Sequence, residues 1–314
     1  MAWTVDDIPD QTGRVAVVTG GNGGLGLATV TALARRGAHV VIGARDLDKA
    51  AAAETEVRGE IPDASLEVRE LDLGSLASVR AFAKGVLDAH EAIDLFFANA
   101  GVMAIPEGAT EDGFERQFGI NHLGHFELTR LLLPAVHRSG AGRVVTTTST
   151  ARFSAGPYDL DDPHHRSRSY DPWEAYGYSK LANLQFALEL DRRLREVGSQ
   201  VAALSADPGF AYTDLQQVSA QRSAGASQKL AAFLVRWVGQ PPEAGALEQL
   251  RAATDPSAEG GTLYRPRWIA RGAPVVGRVG PKLRKPEDLH KLWEVSEREV
   301  GANFDVAGLV TGAA

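Results

Sequence analysis

The sequence predicts an α/β fold: one doubly wound domain whose central sheet is mostly parallel and carries helices on both faces. Three observations point there. Short β-branched and apolar runs recur along the chain, longer amphipathic segments separate them, and a glycine-rich turn joins the first run to the first helix. Near-continuous apolar strands alternating with helices indicate a parallel sheet buried on both faces. Right-handed crossovers then stack the helices in two layers.

The elements follow in order. Residues 14–19 (RVAVVT) read as a buried strand and 25–36 as a helix ended by Gly37. Residues 38–42 form a second strand, and Asp46 N-caps an alanine-rich helix to Arg58. Residues 65–70 alternate as a third strand, and Ser75 opens a helix reaching about His90. Strands at 93–97 and 143–148 flank a long helical region, 112–137; a helix at 173–197 precedes a sixth strand, 201–205. The polar stretch 156–172, with three prolines, reads as an inserted surface loop in which His164 and His165 are solvated. Residues 209–285 hold short helical patterns broken by Pro and Gly, as expected of a small C-terminal substrate-covering lobe within one domain spanning 1–314.

Bulk properties exclude several classes. A chain of 314 residues buries a large core without staples. It has no cysteine, which removes disulfides, thiolate catalysis and cysteine-ligated metal. A formal net charge of −7 argues against a nucleic-acid or anionic-membrane partner. No apolar run reaches the roughly 20 residues of a membrane span, and residues 1–10 are acidic without an apolar h-region, so a cytoplasmic location is expected. No metal is expected either: His122 and His125 have no third ligand at suitable spacing.

The first strand runs into Thr19-Gly20-Gly21-Asn22-Gly23-Gly24-Leu25-Gly26, with a helix directly after it. Glycines let the backbone turn tightly and approach a pyrophosphate, while the helix N-terminus offers unpaired N–H groups and the positive end of its dipole. This T-G-x-x-x-G-x-G spacing resembles the cofactor motif of the short-chain dehydrogenase/reductase family, a Rossmann-type fold. The resemblance implies a nicotinamide cofactor held by Gly20, Asn22, Gly24, Leu25 and Gly26. In that family an Asp ending the second strand binds the NAD ribose; Ala44 stands there in this chain, followed by Arg45. A guanidinium pairs with a 2′-phosphate that a carboxylate would repel, so NADP(H) is expected, with NAD(H) as the alternative if Asp46 reaches the ribose instead of capping its helix. Asp72 and Leu73 resemble the adenine contact, and Asn99-Ala100-Gly101 the N-A-G signature at the end of the fourth strand.

Tyr176 and Lys180 lie four residues apart, which stacks them on one helix face. A phenol titrates near pH 10; a nearby ammonium favours the phenolate, so such a pair can work as a tuned acid–base. Tyr178 has no lysine four residues on. The resemblance makes Ser149 the serine that hydrogen-bonds the substrate oxygen, although Thr148 and Thr150 leave its register open. Asn121, a poor mid-helix residue beside Gly119, suggests a local distortion; the family uses such an Asn to hold a water near the lysine. Pro208 and, after Gly209, Thr213 resemble contacts to the nicotinamide. Asp207 departs from the pattern, since relatives often carry His there.

The order of these motifs covers residues 12–215. Gly43-Ala44-Arg45-Asp46, Asn121-His122-Leu123-Gly124-His125-Phe126 and Leu292-Trp293-Glu294 resemble the retinol dehydrogenase and protochlorophyllide reductase branch. The implied reaction is hydride transfer between the nicotinamide and the carbonyl or alcohol group of a small molecule. Conjugated C=C reduction on the same site, and a cofactor-binding regulator without turnover, are the alternatives. Phe153, Tyr158, Phe210, Tyr212, Phe233 and Trp237 could line an apolar pocket, but most read as core. A homo-oligomer is left open, with the 156–172 insert a potential obstruction.

Overall fold

In the computed structural model, residues 2–156, 159–210 and 240–312 are described. The strands are β1 (Val15–Thr19), β2 (His39–Ala44), β3 (Leu66–Glu70), β4 (Leu95–Ala98), β5 (Arg143–Thr147), β6 (Ala202–Ala206), β7 (Leu263–Pro266) and β8 (Pro274–Gly277). They form one eight-stranded sheet in the order β3-β2-β1-β4-β5-β6-β7-β8. Every neighbouring pair is parallel except β7–β8. From β1 the chain builds outward to β3, and from β4 it builds the other way. The reversal opens a crevice at the carboxyl ends of β1 and β4, where ligands bind in such sheets.

Helices α1 (Gly24–Arg35), α2 (Leu47–Glu60), α3 (Leu76–Ala89), α4 (Gly124–Arg138), α5 (Pro172–Glu196), α6 (Leu247–Thr254), α7 (Pro286–Val300) and α8 (Val306–Thr311) cover the sheet. Strand alternation divides the core into two layers. Val17, Val41, Phe96 and Val144 pack with Phe82, Phe126 and Leu190 of α3, α4 and α5 on one face. Ala16, Val18, Val40, Ile42 and Phe97 pack with Leu33 of α1 and Leu250 of α6 on the other. Local signals set the helix starts. Asp46 Oδ1 accepts the Lys49 N–H, as expected of an N-cap, and Asp171 accepts from Trp173 and Glu174 ahead of a first-turn proline.

Two expectations change. Residues 209–285 contain the short helices expected in their described part, but also β7 and β8, which extend the main sheet. The 156–172 insert is not a solvated fringe. The His164 side chain is only 6% exposed, accepts the Glu115 N–H at Nδ1 (3.1 Å) and bonds Glu299 through Nε2 (3.0 Å), while His165 is buried against Tyr178. The rings stitch the insert to the body, where Phe114 and Phe118 offer His164 apolar contact.

Candidate active site

Six of the segments singled out in the sequence leave the sheet at its carboxyl edge: the glycine-rich turn after β1, Arg45 after β2, Asp72 and Leu73 after β3, Asn99–Gly101 after β4, Ser149 after β5 and Pro208 after β6. Thr213 lies outside the described residues.

The turn has the form of an anion cradle. Gly20 takes φ +67°, a region that favours glycine, and donates its N–H to Gly43 O (2.7 Å). A Cβ on Gly26 would drive into the Gly20 carbonyl, so α1 can pack this closely only without one. The N-cap of α1, Gly23, has no side chain to bond the first-turn N–H groups, which leaves them for a phosphate. These features fit a dinucleotide pyrophosphate. Just after β2, Arg45 is exposed, and Asp46 is committed to its cap.

Thr19 ties the turn to the rest of the site. Its Oγ1 accepts the Asn99 and Ala100 N–H groups (2.9 and 3.0 Å) and lies 2.9 Å from His125 Nε2. His125 Nδ1 is 3.0 Å from Asn121 O. A carbonyl only accepts, so Nδ1 carries the proton and Nε2 accepts from Thr19. Burial holds His125 down to about 4, and the ring stays neutral. Asn121 sits in a π-helical turn, Gly119–Leu123, the distortion its sequence context suggested. Its amide bonds both backbone groups of Val102 and the Ser179 hydroxyl. Gln249 of α6 reaches Thr29, Asn99 and Thr147.

Tyr176 and Lys180 share one buried face of α5. Lys180 Nζ lies 5.7 Å from the Tyr176 ring centroid and donates to Thr147 O (3.1 Å). The register ambiguity at the end of β5 resolves physically. Thr148 Oγ1 donates to Lys180 O (2.7 Å), whereas the Ser149 hydroxyl faces the Tyr176 phenol closely enough to pull its pKa down. Tyr178 points away, its hydroxyl donating to Asp159 O.

The expected lowering of the phenol is corrected here. Burial pushes Tyr176 well above the ordinary tyrosine range, against the pull of Ser149, and the charge of Asp207 adds to the rise. The lysine does not offset this, because its ammonium is itself desolvated. Burial lowers Lys180 to about 8, with Asp207 pulling it back up. A phenol that keeps its proton at neutral pH, beside a hydroxyl, is suited to protonate a developing alkoxide.

Asp207 acquires a partner that the sequence did not show. Its Oδ2 accepts from Arg152 Nη1 (2.5 Å), its Oδ1 from the Gly209 N–H (3.1 Å), and Arg152 also donates to Ser149 O (2.6 Å). Both side chains are buried. Arg152, His125 and Gln249 are the site residues that sequence reasoning missed as such; the one available signal was the unusual acid at 207.

Glu248 is buried and neither carboxyl oxygen has a hydrogen-bond partner among the described residues. Burial pushes it up to about 9 from 4.5. A carboxyl raised on folding contributes stability that is fully present below the unfolded value and is lost as pH rises towards the folded one. Urea unfolding across that window should therefore show the parent losing ground to Glu248→Gln as pH rises; parallel pH profiles would rule this out.

Of the aromatics considered as core or pocket, Phe153 and Phe210 are exposed (70% and 42%), so neither is core. Tyr158, Tyr212, Phe233 and Trp237 lie outside the described residues.

The short chain dehydrogenase model matches residues 14–160. Human retinol dehydrogenase 13 is 38% identical over 290 residues, covering 92% of this chain and 85% of the relative. The chain belongs to the short-chain dehydrogenase family. Within this family it falls in the retinol dehydrogenase-like branch, and it is a dehydrogenase/reductase acting on alcohol or carbonyl groups. Mouse polyprenol dehydrogenase is 42% identical over 300 residues, 94% of this chain and 86% of that one. Among solved structures, an uncharacterised protein of Mycobacterium paratuberculosis aligns with TM-score 0.79 and 39% identity, over 97% of this chain and 99% of the other. The NADP complex of RhlG from Pseudomonas aeruginosa aligns with TM-score 0.62 and 25% identity, over 80% and 94%. Among the described residues, no helix of this short-chain dehydrogenase is long and apolar enough to cross a membrane.

Proposed function

We propose that the chain is an NADP(H)-preferring dehydrogenase/reductase for a lipophilic alcohol, aldehyde or ketone. The observation that carries this reading is the meeting of the Ser149 hydroxyl, the Tyr176 phenol and Lys180 beside the glycine-rich cradle. The nicotinamide supplies or accepts the hydride. Ser149 orients and polarises the substrate oxygen, and Tyr176 donates its proton to that oxygen in reduction and recovers it in oxidation. Lys180 carries positive charge next to the phenol, and Asn121, braced on Val102 and Ser179, anchors a water in the proton path. Asp72, Leu73, Asn99, Ala100, Gly101 and Pro208 line the cofactor crevice. Gln240 donates to Phe210 O and Pro208 O at the site's edge, which supports a substrate-covering role for the chain beginning at Gly209. The lipophilic substrate rests on the names of the retinol and polyprenol dehydrogenases and on exposed Phe153 and Phe210.

The preference for NADP(H) rests on Arg45, exposed and without an ion pair among the described residues, next to an aspartate held in its cap. Titration with NADPH and NADH, followed by nicotinamide fluorescence, tests it. Arg45→Ala should weaken NADPH about ten- to a hundredfold, the value of one charge-assisted contact, and leave NADH unchanged. Equal binding of both cofactors by the parent would reject the preference.

A further inference from the structure

A second cluster of chemically capable side chains lies at the opposite end of the sheet. His39 opens β2, and in β3 Glu67 pairs with Val41. Strand residues two apart share a face, so His39 and Glu67 point to the same side. The core places α3 on that side, against Val41, and the C-cap of α3 is His90. His90 Nε2 lies 2.9 Å and His39 Nε2 3.4 Å from the same oxygen, Glu67 Oε2. One donor atom from each residue falls within 4.8 Å of the other two. A tetrahedral ion with bonds of about 2.1 Å needs donors about 3.4 Å apart, so small ring rotations bring the three into coordination.

The outer contacts have the form expected around ligands. His39 Nδ1 bonds Ser65 Oγ (2.8 Å), which orients the ring with Nε2 inward. Arg69 holds Glu67 Oε1 and leaves Oε2 to face the imidazoles. The side chains of His39, Glu67 and His90 retain 28%, 26% and 15% exposure, which leaves a fourth position open to solvent.

We propose that His39, Glu67 and His90 bind one Zn2+ ion, which clips β2, β3 and the end of α3 together at the edge of the sheet away from the catalytic crevice. Two imidazoles and one carboxylate suit zinc, whereas calcium and magnesium demand oxygen donors. This departs from the metal-free expectation drawn from the sequence. His39 and Glu67 are 28 residues apart and Glu67 and His90 are 23 apart, so no ligand spacing is visible until the strands pair.

The test uses the full-length chain without an affinity tag, stripped of metal with a chelator. Zn2+ is titrated in competition with a chromophoric chelator, and Co2+ binding is followed by visible absorption. One ion per chain and a tetrahedral Co2+ spectrum are expected. His39→Ala and His90→Ala should each weaken zinc at least about tenfold and abolish the rise in thermal midpoint that zinc gives the parent. His90→Gln, which keeps a polar side chain at the helix end, guards against misfolding and should show the same loss with parental circular dichroism. Absence of saturable binding in the parent, or equal affinity in the parent and in His90→Gln, would overturn the proposal.

Discussion

Tyr176→Phe is expected to lower kcat about a hundred- to ten-thousandfold, the range of a lost general acid, while NADPH binds as it does to the parent. The ring is buried and a phenyl fills the same volume, so the fold should hold. What disappears is the one hydroxyl that both contacts Ser149 and keeps its proton at neutral pH. Because that proton moves only in the transition state, kcat and kcat/KM should fall together with KM little changed. Steady-state kinetics on any alcohol or aldehyde the parent turns over, paired with fluorescence titration of NADPH, reads both quantities. A variant with near-parental kcat would reject Tyr176 as the acid.

Asp207→Ala should cost about 3–5 kcal/mol of stability, since removing one member of a buried ion pair strands the other charge. Arg152 is 5% exposed and, among the described residues, would keep the Ser149 carbonyl as its hydrogen-bond partner. Urea unfolding measures the loss, and replacing Arg152 and Asp207 together by leucine should recover most of it, a coupling a double-mutant cycle makes explicit. The milder Asp207→Asn carries the electrostatic part. The carboxylate favours the Lys180 ammonium, which burial has already lowered to about 8. Without that charge the ammonium is lost at lower pH, so the alkaline limb of kcat/KM should move to lower pH in the variant. An unchanged limb would mean that the pair braces Ser149 and the turn at Gly209 without tuning Lys180.

Much of the fold is legible along the chain where local signals are strong. The first six strands are short runs, mostly apolar and alternating in β3, bounded by turns, and each falls within a residue or two of its expected position. β7 and β8 escape notice because each is four residues long and bounded by proline or glycine. Too short to carry a period, they are held as strands by pairing with β6 and with each other. The insert misleads for a similar reason: a polar composition rich in His and Asp reads as solvated until Phe114, Phe118 and Glu299 arrive from distant segments to cover His164.

The same division runs through the site. Sequence by itself determined the parallel α/β architecture, the glycine-rich cradle and the helical spacing of Tyr176 and Lys180, because each depends on residues close together along the chain. Tertiary structure decided which hydroxyl after β5 faces the phenol, that Asp207 pairs with Arg152, and that His125 links Thr19 to Asn121. It also decided the sign of the Tyr176 shift. A lysine four residues away argues for a lowered phenol, but desolvation depends on everything packed around the ring, and here it prevails. Contacts between segments far apart in the chain, and the loss of water that comes with them, have no local signature in the sequence; they exist only once the strands have brought their carboxyl ends together.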